Sequence, residues 1–113
     1  MRRLALLLTL TSLPLAAESR ARKVWKWSLG ALAAGAASDI ASSWGKYESN
    51  PLARDSSGRF SPARGIALKS GVIAGLWIVG RKSPQVGAAA NFSAAGVWAG
   101  AAISNSKVPK AKP

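Results

Sequence analysis

The sequence predicts an all-α protein, a small transmembrane bundle of three short Ala/Gly-rich helices that follow a signal-like N-terminal helix. Three apolar, Ala/Gly-rich stretches are separated by segments rich in Gly, Pro and Ser, which favour turns. Apolar residues make up 49% of the chain and charged residues only 18%, a composition unlike that of disordered proteins. Most of the cations flank the apolar stretches, as they do in membrane proteins. Together these observations favour helices in a bilayer.

The charge is strongly unbalanced, with 16 Lys and Arg against 4 Asp and Glu and a formal net charge of +12. Such an excess can bind nucleic acid by releasing counterions from its phosphates. Here the cations lie beside apolar stretches, where they stay in water and meet anionic headgroups. We therefore expect a lipid bilayer with anionic headgroups as the partner, and we do not expect nucleic acid.

The chain contains neither cysteine nor histidine. Without them it has no disulfides, no thiolate nucleophile, no Cys/His metal site and no imidazole, the commonest general base. No other nucleophile, base and metal-ligand set takes their place. We accordingly expect no enzymatic activity, no metal site and no cofactor.

The N-terminal residues 1–19 have a secretory signal pattern, with a basic start, an apolar core and small residues afterwards. Cleavage after Ala17 or Ser19 and retention as an uncleaved signal anchor both stay open, because neither cleavage sequence is ideal. Residues 20–27 follow, with four cations and two Trp. Indole rings next to cations favour the headgroup layer of a membrane over a soluble basic linker.

The predicted helical membrane domain covers residues 20–106. Its parts are helices at about 28–44, 65–80 and 86–104 and a polar loop at 45–64, with a disordered basic tail following at 107–113. Each helix is short for the roughly 20 residues that a bilayer requires, and the mean hydropathy is only +0.12. A soluble Ala-rich helical hairpin is therefore the alternative fold. Against it, the segments lack the continuous charged face of a soluble amphipathic helix.

Asp39 and Lys69 are predicted to form an ion pair inside the membrane. Asp39 lies five residues before the end of the first predicted helix, and Lys69 four residues after the start of the second. Because the loop returns both helices to one side, both side chains lie roughly 6 to 8 Å below the same surface. Opposite charges at one depth offset each other's burial cost. The pair would fix helix register, with a snorkelling Lys69 or a functional polar site as alternatives.

Two kinds of residue predict contacts between helices. Small residues recur at four-residue spacing, which lets backbones approach closely, either within the chain or between copies. The pairs are Ala31 with Gly35, Gly71 with Gly75, and Gly96 with Gly100. In addition, Asn91 is expected to form a hydrogen bond across helices near the opposite surface, away from the ion pair.

A pattern of polar residues runs from the first predicted helix into the second. It consists of Asp39-Ile-Ala-Ser-Ser43, then Glu48-Ser-Asn50-Pro51, then Lys69. This pattern resembles a family of small bacterial membrane proteins that have no assigned activity, in which an Asp with paired Ser/Thr precedes a Glu-x-Asn-Pro loop and a Lys. The resemblance covers about residues 30 to 105. It implies a membrane bundle and says nothing about mechanism.

The resemblance also draws attention to the loop motif Glu48, Asn50 and Pro51. Local roles would explain these residues as well. Asn50-Pro51 would end the first helix, because the residue before a proline disfavours helical backbone. Glu48 would cap the helix or pair with Lys46 or Arg54 at the surface.

These features predict a small integral membrane protein with a structural or accessory role, which acts through helix–helix association with itself or other membrane helices. One alternative is a membrane-active basic protein of the holin or bacteriocin kind. Another is an intramembrane polar site that handles ions or protons. The cations favour the bacterial inner membrane as the location, with loop 45–64 and the C-terminus in the cytoplasm whether the signal segment is retained or cleaved.

Overall fold

The computed structural model describes the backbone of residues 2–112 and the side chains of residues 20–112. Over this range the chain forms three helices, α1 (Arg2–Ser43), α2 (Pro62–Lys82) and α3 (Pro84–Ser106). The predicted all-α class is confirmed. The signal-like segment 1–19, for its side chains, and Pro113 at the end of the basic tail lie outside the described residues.

Helices α2 and α3 are each long and apolar enough to cross a membrane. They contain 21 and 23 residues, and 18 consecutive residues of each have a mean hydropathy of 1.3. Only 11% of this stretch in α2 and 22% in α3 is buried inside the molecule. The core helix of a soluble protein would be mostly buried, so the exposed apolar surface favours contact with lipid. Two candidate spans thus support a membrane location.

Helix α1 is continuous over 42 residues, whereas the sequence predicted a separate helix at 28–44. The predicted start at residue 28 is wrong because the residues directly before it contain nothing that stops a helix. Residues 20–27 contain neither Gly nor Pro, and their Arg, Lys and Ala residues favour helix. The basic, aromatic segment is therefore part of α1, which ends at Ser43.

Serine–proline pairs begin both of the other helices. The Ser61 hydroxyl accepts a hydrogen bond from the Arg64 N–H at 3.3 Å, and Pro62 is the first helical residue. Ser83 and Pro84 repeat the arrangement at the start of α3. A serine cap satisfies a free helical N–H, and proline loses nothing at the first position. The helices therefore start earlier than the predicted residues 65 and 86.

Helices α1 and α3 run parallel and pack closely, while α2 runs antiparallel to both with less contact. The side chains of Ser28 and Asn91 meet near one end, and those of Ser43 and Asn105 meet near the other. The only buried residues of α2 are two glycines near its ends. The parallel α1–α3 pair is therefore the more extensive helix contact.

Trp25 of α1 forms the core at the end of the bundle that lies away from the polar loop. It is 3% exposed, and its ring centre lies 5.0 Å from that of Trp77. A Cβ atom on Gly80 would overlap the Trp25 indole, and one on Gly87 would overlap the Gly80 backbone. Glycine is therefore required at both positions for the close approach of the three helices.

The predicted small-residue pairs have mixed outcomes. Gly35 lies at an internal helix contact, where a Cβ atom would be 3.0 Å from the Ala95 carbonyl oxygen, and Ala31 is partly exposed. At four other glycines no described atom would lie within 4 Å of an added Cβ; they are Gly71, Gly75, Gly96 and Gly100. An internal packing role for these four is wrong, because they face outward.

The polar loop between α1 and α2 is held by backbone hydrogen bonds across it. The Phe60 N–H donates to the Lys46 carbonyl at 2.8 Å, and isolated β-bridges form between facing parts of the loop. The C-terminal segment lies against this loop, since the Ala111 N–H donates to the Gly45 carbonyl at 2.8 Å. Over residues 107–112 the predicted disordered tail is thus a docked segment without helix or strand.

Candidate functional site at the loop end of the bundle

Helices α1 and α2 bring Asp39 and Lys69 together near the polar loop. The Lys69 Nζ atom lies 2.6 Å from Asp39 Oδ2, and the side chains are 15% and 14% exposed. The same ammonium lies 5.2 Å from the centre of the Trp98 ring, within cation–π range. Asp39 and Lys69, which the sequence predicted to lie at one depth, are therefore in direct contact. The Lys69 ammonium binds Asp39 and does not extend to the surface, as a snorkelling lysine would.

Asn105, in the last turn of α3, completes this polar cluster, and the sequence analysis missed it. Its Nδ2 atom lies 3.0 Å from Asp39 Oδ1 and 2.8 Å from the Ser43 hydroxyl. One carboxylate oxygen thus meets the ammonium and the other the amide, so both oxygens of the buried carboxylate have a partner. The sequence does indicate a contact here, because α3 returns to the loop end and its last turn is level with that of α1. The predicted end at residue 104 left Asn105 just outside the helix.

We use the name polar cluster for Asp39, Lys69, Asn105 and Ser43. Asn91 lies apart from it, as expected, and its Nδ2 atom donates to the Ser28 hydroxyl at 2.9 Å in a fully buried contact. The parallel α1–α3 pair is therefore joined by side-chain hydrogen bonds at both ends.

The loop motif forms two consecutive turns. The Asn50 N–H donates to Glu48 Oε1 at 3.0 Å, and the Leu52 N–H donates to Asn50 Oδ1, also at 3.0 Å. Side chains that accept from the backbone two residues onward are typical of such turns. Pro51 lies exposed within the second turn. The motif thus shapes the loop beside the polar cluster.

Both local roles expected for the motif are wrong. Helix α1 ends at Ser43, seven residues before Asn50, so Asn50-Pro51 does not stop it. Among the described side chains, Glu48 forms no ion pair with Lys46 or Arg54. The Lys46 ammonium donates instead to the Asn105 backbone carbonyl. The same carbonyl also accepts the Val108 N–H at 3.0 Å, so Lys46 adds a second hydrogen bond at the end of α3.

An open pocket of about 440 Å³ joins the loop motif to the polar cluster. Its polar side contains Asp39, Glu48 and Lys69, and its apolar side includes Phe60 and Trp98. Two carboxylates face one ammonium here, although the chain as a whole is strongly basic. Among the described residues no group of three or more His, Cys, Asp or Glu could hold a metal. The arrangement suits polar contacts and supplies no paired nucleophile and base.

Asp55 organises the far side of the loop. Its Oδ1 atom accepts the Ser57 hydroxyl at 2.5 Å, the Ser57 N–H at 2.8 Å and the Arg59 N–H at 3.1 Å. The Ser57 hydroxyl, followed by these backbone bonds and the nearby Arg59 charge, lowers the pKa of the Asp55 carboxyl below its ordinary 3.8. Asp55 is therefore a charged acceptor throughout the neutral range.

No protein-family model matches this chain, and neither a curated protein nor a solved structure does so. The resemblance through Asp39, Glu48, Asn50 and Lys69 therefore stays a prediction that rests on the residues themselves. The structure brings these four side chains to one pocket. The function of the protein is therefore inferred from this pocket and from the exposed helix faces around it.

Proposed function

We propose that this chain is a small integral membrane protein with a structural or accessory role, which acts by helix–helix association. The observation that carries this proposal is an outward face of α2 made of small residues. We call it the open face, and it consists of Ala67, Gly71, Ala74, Gly75 and Ile78, all exposed. No described atom would lie within 4 Å of a Cβ on either glycine. The face is therefore free to receive another helix.

The chemistry of the open face favours a second copy of α2 as its partner. No charged side chain interrupts it between Ala67 and Ile78, so two copies can meet without like-charge repulsion. Apolar residues gain nothing by leaving lipid for another helix, and association depends on close backbone contact. The glycines at positions 71 and 75 permit that contact. Each glycine also weakens a helix by about 1 kcal/mol relative to Ala, a cost that a packing role would offset.

Association through the open face is tested with a single cysteine introduced at Ala74 of this naturally Cys-free chain. In bilayers we expect disulfide-linked dimers through this cysteine. Changing Gly71→Ile and Gly75→Ile should reduce dimer formation at least several-fold, because β-branched side chains hold the backbones apart. Far-ultraviolet circular dichroism should stay unchanged, since the two positions have open space around them.

Two controls make this test specific. A cysteine at Val72, which lies on a different side of α2 and is 46% exposed, should cross-link much less. The change Gly96→Ile in α3, which also meets open space, should leave cross-linking through Ala74→Cys intact. Equal cross-linking from positions 72 and 74, or full cross-linking in the Gly71/Gly75 variant, would contradict the proposal.

We further propose that the protein resides in the bacterial inner membrane with loop 45–64 and the C-terminus in the cytoplasm. The contact between Ala111 and Gly45 supports a common side for these two segments. Together they contain seven cations, namely Lys46, Arg54, Arg59, Arg64, Lys107, Lys110 and Lys112. Six lie at the other end, so the count is nearly even. In the continuous helix α1, Arg2 and Ser43 lie at opposite ends, so Arg2 and Arg3 support this side through a cleaved signal, which keeps its basic start in the cytoplasm and delivers the residues that follow to the other side.

The side of the loop can be read from a cysteine at the exposed position Ser56. A membrane-impermeant maleimide should label it in inverted vesicles and not in intact spheroplasts. Cysteine at Lys82, at the far end of α2, should show the opposite pattern. Labelling of Ser56→Cys from outside would reverse the proposed orientation.

A further inference from the structure

A second groove lies between α1 and α3 at the end opposite the polar loop. Its volume is about 520 Å³. Its floor and walls are apolar and its rim is polar, and the lining consists of Arg20, Ala21, Val24, Gln85, Ala88, Ala89 and Phe92. The groove is separate from the polar cluster and from the open face of α2.

The groove exists because small side chains separate two larger ones. Ala21 and Ala89 leave space along the contact between α1 and α3, and the larger side chains of Val24 and Phe92 line the groove beside them. These last two side chains are 50% and 46% exposed. In a bilayer such an apolar, open channel between helices is filled by a lipid chain or by protein, because water there would meet no polar partners.

The excess of positive charge at this end of the bundle determines which charge an occupant of the groove should carry. Six exposed cations gather here on α1 and at the end of α2, namely Arg20, Arg22, Lys23, Lys26, Arg81 and Lys82. Only Glu18 among the four carboxylates of the sequence belongs to this end, since Asp39, Glu48 and Asp55 lie near the loop. Helix α3 begins here as well, and the start of a helix bears a partial positive charge. The occupant should therefore be anionic.

We propose that this groove binds one anionic phospholipid. An acyl chain lies over Ala21, Ala89 and Phe92, and the phosphate meets the guanidinium of Arg20 at the rim. The depth of the groove suits a lipid at the membrane surface. Ala89 is five residues into α3 and so lies about 7.5 Å along the helix axis from its start. Headgroups and the first acyl carbons occupy that layer. Each cation near such a lipid adds about 1 kcal/mol of attraction.

The test uses the full-length protein in neutral detergent with either phosphatidylglycerol or phosphatidylcholine added, followed by native mass spectrometry of retained lipid. We expect one phosphatidylglycerol to be retained at concentrations where phosphatidylcholine is not. Arg20→Gln should weaken its retention roughly fivefold, as expected for one lost cation. Ala89→Phe, which fills the groove, should abolish it.

Matched variants separate this site from general attraction to a basic protein. Arg54→Gln removes the same charge at the loop end, and Val97→Phe adds the same ring at an exposed position of α3 outside the groove. Both should retain phosphatidylglycerol normally. Equal retention of the two lipids, equal losses in the control variants, or unchanged retention in Ala89→Phe would each overturn the proposal.

A second copy is the competing occupant of the groove. If Ala89→Phe disrupts dimers in the Ala74→Cys cross-linking assay and leaves lipid retention unchanged, the groove is a protein contact and the lipid proposal fails. The two proposals fail separately, because Gly71→Ile with Gly75→Ile lies on α2 and should leave lipid retention intact.

Discussion

Replacing Asp39 with Asn should cost roughly 1 to 3 kcal/mol of folding stability, less than the loss of roughly 3 to 5 kcal/mol when one partner of a fully buried ion pair is removed, because both side chains are partly exposed. The change leaves the Lys69 ammonium, 15% exposed, without its carboxylate. Lys69→Met should have a comparable effect, since it leaves Asp39 as an unpaired buried charge. The double variant should lose less than the sum of the two, because neither charge is then left alone. Unfolding in mixed micelles, followed by tryptophan fluorescence, measures all three.

Asp55→Asn is the control for the ion pair, because it makes the same chemical change at a carboxylate that is fully exposed in the loop. It should alter stability far less than Asp39→Asn. Strictly additive losses in the double-mutant cycle would show that Asp39 and Lys69 do not stabilise one another. Asp39→Asn with unchanged stability would instead favour the alternative in which the pair handles ions or protons.

Gly80→Ala and Gly87→Ala should each destabilise the bundle by about 1 to 3 kcal/mol or more, the range for adding atoms to a filled core. Gly87 should be the worse position. Its added Cβ meets the backbone of Gly80, which cannot rotate away, whereas Gly80 meets the Trp25 side chain. The near-ultraviolet circular dichroism of the Trp25–Trp77 contact should weaken in both variants, and unfolding in mixed micelles gives the magnitude.

Gly96→Ala is the matched control, since it lies on the same helix as Gly87 with open space around it. It should leave stability unchanged or raise it by up to about 1 kcal/mol, because Ala favours helix over Gly. If Gly87→Ala behaved like Gly96→Ala, the close approach of α2 and α3 at Trp25 would not be a feature of the folded protein.

The all-α class and the meeting of Asp39 with Lys69 could be predicted from the sequence for the same reason. Both depend on counting residues along a helix and on the high cost of burying polar groups in lipid. Depth is a property of one helix at a time, and a buried charge needs an opposite charge at its own level. Asn105 obeys the same logic, and only the predicted end of α3 at residue 104 concealed it.

The helix contacts could not be predicted in this way. Four-residue spacing identifies a face of one helix and carries no information about its neighbour. Gly71 and Gly96 have this spacing and face outward, while Gly80 and Gly87 lack it and are tightly enclosed. Their environment is set by Trp25, which is more than fifty residues away in the chain. Glu48 likewise has two cations nearby in sequence and binds the backbone instead, because the loop turns its side chain toward Asn50.

The parallel arrangement of α1 and α3 has a consequence for biosynthesis. The hydroxyls of Ser28 and Ser43 in α1 accept hydrogen bonds from Asn91 and Asn105, and these two residues are made after α2 has already been synthesised. When α1 leaves the ribosome its buried carboxylate, Asp39, has neither Lys69 nor Asn105 to meet. The least apolar helix must therefore wait, shielded by the insertion machinery or at the membrane surface, until the last helix arrives. Assembly of this bundle is therefore complete only when its C-terminal helix, α3, has been made.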